Sequence, residues 1–375
     1  MKTLFALLFS ILSSTAMAGT FVYVSNADDG DIGVYILRSD GTLEPRERIA
    51  AAKVVMPMAV SPDRRYLYAA VRSKPYGAHS FAIDAKTGAL RPIASGALAE
   101  SFPYVSTDRE GRFLFGASYG GNVVSVNPIA AEGRVGDPLQ VIPVARNAHS
   151  IRVDKTNRYV FVPTLGTDQI FQFVFDSSSG RLSANTPPLV QLKQGTGPRH
   201  LVISSDNRFA YVLNELVGTV TTLTLDAKTG WLTEQGSESV LPPDTKLVPG
   251  MPRGAVGAPG ANQAPRNTDN DIWASDLHLA PDGRFLYAAE RTSGTIATLR
   301  VEAASGKLTY VASTPTEKQP RGFAIDAAGR FLVASGEKSD TISVYAIDAS
   351  SGALKLLNKY PTGKGSNWVE IVTTD

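Results

Sequence analysis

From residue 20 onward, short apolar runs rich in β-branched and aromatic residues alternate with tight polar turns. No long stretch holds the 3.6-residue apolar spacing of an amphipathic helix. One phrase recurs: a polar turn, an arginine, then a β-rich run. It reads SPDRRYLYAAV at 61–71, DREGRFLFGAS at 108–118, DKTNRYVFVPT at 154–164 and SSDNRFAYVLN at 204–214. It returns as APDGRFLYAAE at 280–290 and DAAGRFLVASG at 326–336, and a copy without its turn, TFVYVSN, stands at 20–26. The anchor positions are 20, 65, 112, 158, 208, 284 and 330. A second marker, a loose D-x-x-x-G turn, places glycines at 41, 88, 133, 180, 230, 306 and 352, each 21 to 23 residues after its anchor. Two marks that keep one offset through seven copies predict repeats of ~40–50 residues with four strands each, the blades of a β-propeller. The predicted fold is all-β: a seven-bladed β-propeller of four-stranded blades.

The first copy begins at its second strand, 21–25, and the last apolar run, 368–372, can supply the missing innermost one. N- and C-terminal strands then share a blade, and the closed ring leaves no open edge. One step between anchors, 208 to 284, is longer than the rest and contains an insertion at about 241–271 rich in Pro, Gly and Asn. It falls between an outermost strand and the next innermost one. It reads either as a rim or lid over that face or as a surface loop.

The first 18 residues have a different logic. Met1-Lys2, the apolar run LFALLFSIL at 4–12 and the small-residue site Ala16-Met17-Ala18 have the layout of a secretory signal peptide. The apolar run is far shorter than the roughly 20 residues of a membrane span. Cleavage is expected after Ala18, which leaves one propeller domain at 19–375 in the periplasm or outside the cell. Composition narrows the chemistry further. The chain has no Cys, which removes disulfides, thiol nucleophiles and zinc–thiolate sites, and 37 Lys+Arg against 35 Asp+Glu is too balanced for a nucleic-acid surface. A closed propeller is expected to be a monomer.

Aligned on the strand before the turn, Pro57, Tyr104, Ser150, His200, Asp276 and Gly322 form one column, and Pro103, His149, Arg199, Ser275 and Arg321 form the column before it. Both are expected to ring one mouth of the central channel. The ends of the second strands reach the same mouth with Arg72, Tyr119, Asn214-Glu215 and Glu290-Arg291. The turn face, by contrast, repeats Asp, Asn, Gly and Arg that turn chemistry explains. Variation between blades therefore points to the opposite face as the binding face. His149 and His200 can act as bases near neutral pH, and Glu215 and Glu290 can do so if desolvated. Arg199, Arg291 and Arg321 can hold an anion and stabilise an oxyanion. The same side chains can instead pair across blades to hold the ring together. His79 and His278 are expected to be structural.

The stretches NAHSIRVD (147–154), GTGPRHLVIS (195–204), YVLNEL (211–216), DLHLAPDGRFLYAAERT (276–292), QPRGFAID (319–326) and SVYAID (343–348) carry a resemblance. In them the sequence resembles the lactonase family of seven-bladed propellers, which includes bacterial 6-phosphogluconolactonase and fungal carboxy-cis,cis-muconate lactonising enzyme. The resemblance implies a metal-free, cofactor-free site in the channel mouth, with His149, Arg199, Glu215 and Arg291 as its catalytic positions. His200, Arg321 and Trp368 match further family positions, and with Asn214 and Glu290 they are expected to bind substrate. The implied activity is hydrolysis of a small anionic lactone of sugar-acid type. A muconate-type cycloisomerase acting on a diacid, or a non-catalytic propeller that binds a ligand or protein, stands as the alternative. Arg199→Ala and Glu215→Gln are expected to abolish turnover with little change in melting temperature.

Overall fold

A computed structural model describes residues 19–254 and 267–374. The predicted leader at 1–18 and the middle of the 241–271 insertion lie outside the described residues. The described elements are β-strands, arranged in seven antiparallel four-stranded sheets. In six of them the strands are consecutive in the chain. The seventh closes the ring as predicted. Ser366–Thr373 is its innermost strand and Thr20–Asn26 its second, paired antiparallel from Thr20↔Thr373 to Val24↔Val369, with Asp31–Leu37 and Leu43–Ala50 outside them. No helix among the described residues is long and apolar enough to cross a membrane.

The two sequence markers meet across every blade boundary. Each D-x-x-x-G glycine has a positive φ, between 69° and 87°. A Cβ at Gly88 would lie 2.2 Å from Phe21, and one at Gly352 would lie 2.4 Å from Phe285, so the glycine is required by close approach as well as by φ. In every case the ring belongs to the aromatic that follows the anchor of the neighbouring blade, and the last contact, Gly41 against Phe331, completes the circle. The anchor arginines lie over these same rings, as Arg208 does over Phe209 at 5.0 Å and Arg330 over Phe331 at 5.2 Å. A shared offset in the sequence is thus one interlock repeated seven times. On the same face Asn157 donates to Asp108 at 3.0 Å and Asn207 to Asp154 at 2.9 Å, stitching successive turns together.

The apolar core lies between blades, in clusters such as Tyr23, Ile32, Met58 and Phe81. One innermost strand departs from the pattern. In the blade whose second strand is Tyr159–Thr164 it shrinks to Arg152–Val153, where Asn147 adopts φ 62° and Ala148 makes only an isolated bridge with Thr164. His149 therefore precedes its strand, anchored through its backbone N–H to the Pro163 carbonyl at 3.0 Å.

Candidate active site

The channel holds two cavities separated by a septum. Tyr104, His200 and Trp368 form it, with ring centroids 4.9 Å (Tyr104–His200), 5.5 Å (Tyr104–Trp368) and 6.1 Å (His200–Trp368) apart. On the mouth away from the repetitive turns lies a pocket of ≈ 100 Å³ lined by Arg72, Tyr119, His149, Glu215, Arg291 and Arg321, with Arg253 and Trp273 at its wall. On the turn side lies a larger cavity of ≈ 340 Å³, bordered by Arg152, His200, Asp276, His278, Trp368 and Glu370.

Glu215 and Arg291 are each set by the end of a second strand. Glu215 directly follows the second strand Phe209–Asn214, and its N–H donates to the Gly197 carbonyl at 2.8 Å. Arg291 follows Phe285–Glu290 and donates its N–H to the Trp273 carbonyl at 3.1 Å. Glu215 Oε2 accepts from Arg199 Nε at 2.8 Å and from Arg291 Nη2 at 2.9 Å, and the three residues are almost fully buried. Glu215 Oε1 accepts no hydrogen bond from a described residue, and Glu215 borders the pocket. Arg291 is pinned further by Nε on the Trp273 carbonyl at 2.9 Å, and its guanidinium lies 3.7 Å above the Trp273 ring.

Behind this triad runs a polar chain. Arg199 Nη1 lies 2.8 Å from His200 Nε2, and His200 Nδ1 lies 2.8 Å from Asp276 Oδ1. A guanidinium only donates, so Nε2 is the acceptor and Nδ1 carries the proton given to Asp276. Burial and the Arg199 charge agree with this, bringing His200 down to about 3 against the pull of Asp276. Asp276 is buried too, which favours its neutral form, but His278 and the hydrogen bonds outweigh that and hold it well below the usual carboxylate range. His278 Nε2 lies 3.1 Å from the other Asp276 oxygen, so the chain ends in the larger cavity.

His149 is the second group with spare capacity. Its Nδ1 is buried with no hydrogen-bond partner, and its ring stands between Tyr119 at 5.6 Å and His200 at 5.4 Å. Burial and the positive charge of Arg199, with His200 and Arg321 adding to it, hold the imidazole well below the usual histidine range. It is a neutral base at pH 7. Arg321 pairs loosely with Glu337 at 3.4 Å and keeps a buried, unpartnered Nε. Arg72 is held by Ser101 Oγ at 3.0 Å and Met56 Sδ at 3.2 Å, with burial and the Arg321 charge drawing it down to about 9. Four guanidinium groups, those of Arg72, Arg253, Arg291 and Arg321, thus line a site whose nearby paired carboxylates are Glu215 and Glu337, with Arg199 behind Glu215. Such a site favours an anion. Among the described residues no group of three His, Asp or Glu side chains is arranged to hold a metal ion.

The structure brings His149, Glu215, Arg291 and Arg321 to one pocket and corrects the placement of the others. Arg199 sits one layer behind, touching Glu215 rather than the cavity. His200 spends its only lone pair on Arg199 and, like Trp368, borders the turn-side cavity. The two aligned columns therefore do not ring one mouth. A strand rises about 3.3 Å per residue, so the column one residue farther along lies that much deeper in the channel. Asn214 turns into its own blade, donating to Thr219 at 2.9 Å and Thr221 at 2.8 Å. Glu290 accepts the backbone N–H groups of Trp273 at 2.7 Å and Ser293 at 2.5 Å and braces the wall. His278, expected to be structural, faces the turn-side cavity on Asp276. Trp273 and Arg253 were not anticipated because both flank or lie in the insertion, outside the repeat register.

Comparison with known proteins identifies the family. A family model described as lactonase, 7-bladed beta-propeller, matches residues 15–371. A Serratia proteamaculans protein named 6-phosphogluconolactonase is 38% identical over 305 residues, covering 81% of this chain and 84% of that protein. A Pectobacterium carotovorum protein of the same name is 36% identical, again covering 81% and 84%. Among solved structures, a periplasmic gluconolactonase of Pseudomonas aeruginosa superposes with a TM-score of 0.82 at 27% identity, covering 96% of this chain and 99% of that one.

Proposed function

The chain belongs to the seven-bladed β-propeller lactonase family, and from that premise we propose that it hydrolyses a small anionic lactone of sugar-acid type, outside the cytoplasm, without a metal. The observation that carries the reading is the pairing of two candidate bases, His149 and Glu215, the latter with an Oε1 that accepts no hydrogen bond from a described residue, with a wall of guanidinium groups in one pocket. Water held by His149 and Glu215 attacks the lactone carbonyl carbon, and its proton passes to the base. The charge that develops on the carbonyl oxygen is met by Arg291 and Arg321, each such donor being worth about 3 kcal/mol in the transition state. Collapse of the tetrahedral intermediate breaks the ring C–O bond. The ring oxygen takes back the proton, and the product is an open hydroxy acid.

Arg199 has a supporting role in this scheme. It fixes the Glu215 carboxylate through Oε2 and leaves Oε1 free to accept a proton. Export is supported by the leader layout at 1–18 and by the periplasmic gluconolactonase of the same fold. The test is a panel of aldonolactones, phosphorylated and not, with released acid followed by pH-stat. Turnover of at least one supports the reading. Tight binding without turnover on the whole panel would replace it with a binding platform.

A further inference from the structure

The described part of the insertion is sewn to the pocket mouth. Val248 N–H donates to the Asn270 carbonyl at 2.9 Å, and Ile272 N–H returns to the Val248 carbonyl at 2.9 Å. Gly250 N–H reaches the Leu216 carbonyl at 2.8 Å, one residue beyond Glu215. From another blade the Tyr119 hydroxyl donates to the Arg253 carbonyl at 2.8 Å. These bonds carry the chain over the mouth and set the Arg253 side chain in the pocket wall.

There its guanidinium carbon lies 3.8 Å from the Trp273 ring centroid, while that of Arg291 lies 3.7 Å from the same centroid. Two planar groups so close to one centroid cannot share a face of the ring, so the indole is sandwiched between two cations. The two arginines differ in what they do with their donors. Arg291 commits Nε and Nη2 to the Trp273 and Ala274 carbonyls and to Glu215. The Arg253 guanidinium stacks on the Trp273 ring and donates to no acceptor among the described residues.

We propose that Arg253 is a specificity-determining residue, the ligand of a negatively charged substituent of the substrate, phosphate or carboxylate, remote from the reacting carbonyl. The proposal rests on the lactonase reading. A cation stacked on an indole keeps its in-plane fork of N–H donors free, and that fork matches the two oxygens of a phosphate or carboxylate. The tryptophan holds the guanidinium flat, so little freedom is lost when the anion arrives. Glu215 and His149 then work on the carbonyl while Arg253 decides which lactones are held. The site's excess of positive charge is what such an anion would balance.

The experiment compares wild type, Arg253→Ala and Arg253→Lys on glucono-δ-lactone, its 6-phosphate and a uronic-acid lactone, with KM and kcat measured separately. Arg253→Ala is expected to raise the KM of a charged lactone relative to that of the neutral one by about tenfold or more, with the kcat ratio unchanged. Arg253→Lys is expected to restore part of that loss. Whichever charged lactone shows the larger shift identifies the anion as phosphate or carboxylate. An unchanged KM ratio would overturn the proposal. If wild type turns over none of the three, the lactonase reading fails, and calorimetric binding of 6-phosphogluconate and glucuronate to wild type and Arg253→Ala still tests the anion site. Equal affinity of the two proteins for both acids, or no binding by either protein, would then end it.

Discussion

His200 Nδ1 stands 2.8 Å from Asp276 Oδ1, and this contact fixes which nitrogen of the ring is left to face Arg199. The imidazole that looked like a base is a spacer between a carboxylate and a guanidinium. Asp276→Asn removes the charge that holds the tautomer and places an amide against His278 or the Phe323 N–H, which lies 3.2 Å from Asp276 Oδ2. The expected result is a loss of about tenfold or more in kcat with KM nearly unchanged, because neither Asp276 nor Arg199 borders the pocket. His200→Gln, which can still accept and donate, should retain more activity than His200→Ala. Steady-state kinetics on the best lactone checks both.

Glu215→Gln is expected to stop turnover and also to destabilise the protein, which revises the stability half of the expectation drawn from the sequence. Glu215 is the shared partner of two buried arginines, and neutralising it leaves them uncompensated. Breaking a buried pair of this kind costs about 3–5 kcal/mol. Chemical denaturation of the variant beside wild type measures it.

Acid should weaken the fold earlier than carboxylate titration alone would. His149 and His200 bind protons less readily when folded than when unfolded, where imidazole titrates near ~6.5. The unfolded chain therefore takes up more protons, and stability rises with pH through that window. The stabilisation is complete above ~6.5 and is lost as pH falls from there toward the folded value of about 3 for His200. Each histidine contributes about 1.4 kcal/mol per pH unit inside its window. Melting temperature should be level from pH 8 to 7 and fall steadily between about 6.5 and 4.5. His200→Gln should flatten that slope, and an unchanged slope would speak against the buried neutral state.

Removal of residues 366–375 deletes the innermost strand Ser366–Thr373 and exposes both the Thr20–Asn26 edge and the channel. The truncated chain is expected to be insoluble or without a cooperative melting transition. Calorimetry and size-exclusion chromatography of the purified variant decide it.

Gly88→Ala tests the interlock between blades. The new Cβ meets Phe21 at 2.2 Å on a backbone with φ 73°, so strain and overpacking act together, at about 1–3 kcal/mol for overpacking alone. Kinetic constants below the melting transition should be unchanged, since Gly88 lies far from the pocket in the third-to-outermost turn. Differential scanning calorimetry reads the loss.

Phase along the chain determined the architecture. An arginine–aromatic pair and a glycine 21 to 23 residues later recur because each ring must plug the neighbouring blade's turn, and that demand is written locally in every repeat. The same phase placed His149, Glu215, Arg291 and Arg321 at one mouth. It could not tell that Arg199 and His200 lie behind the cavity wall, that Trp368 closes the septum, or that Asn214 and Glu290 brace their own neighbourhoods. Those outcomes depend on a single residue of rise along the axis and on which hydrogen-bond partner a buried side chain meets from another blade. Arg253 and Trp273 were beyond its reach for a different reason. The insertion has no repeat to set its register, and contacts with residues distant in sequence, among them Tyr119 and Leu216 on the insertion and Arg291 on the flanking Trp273, carry the two to the site.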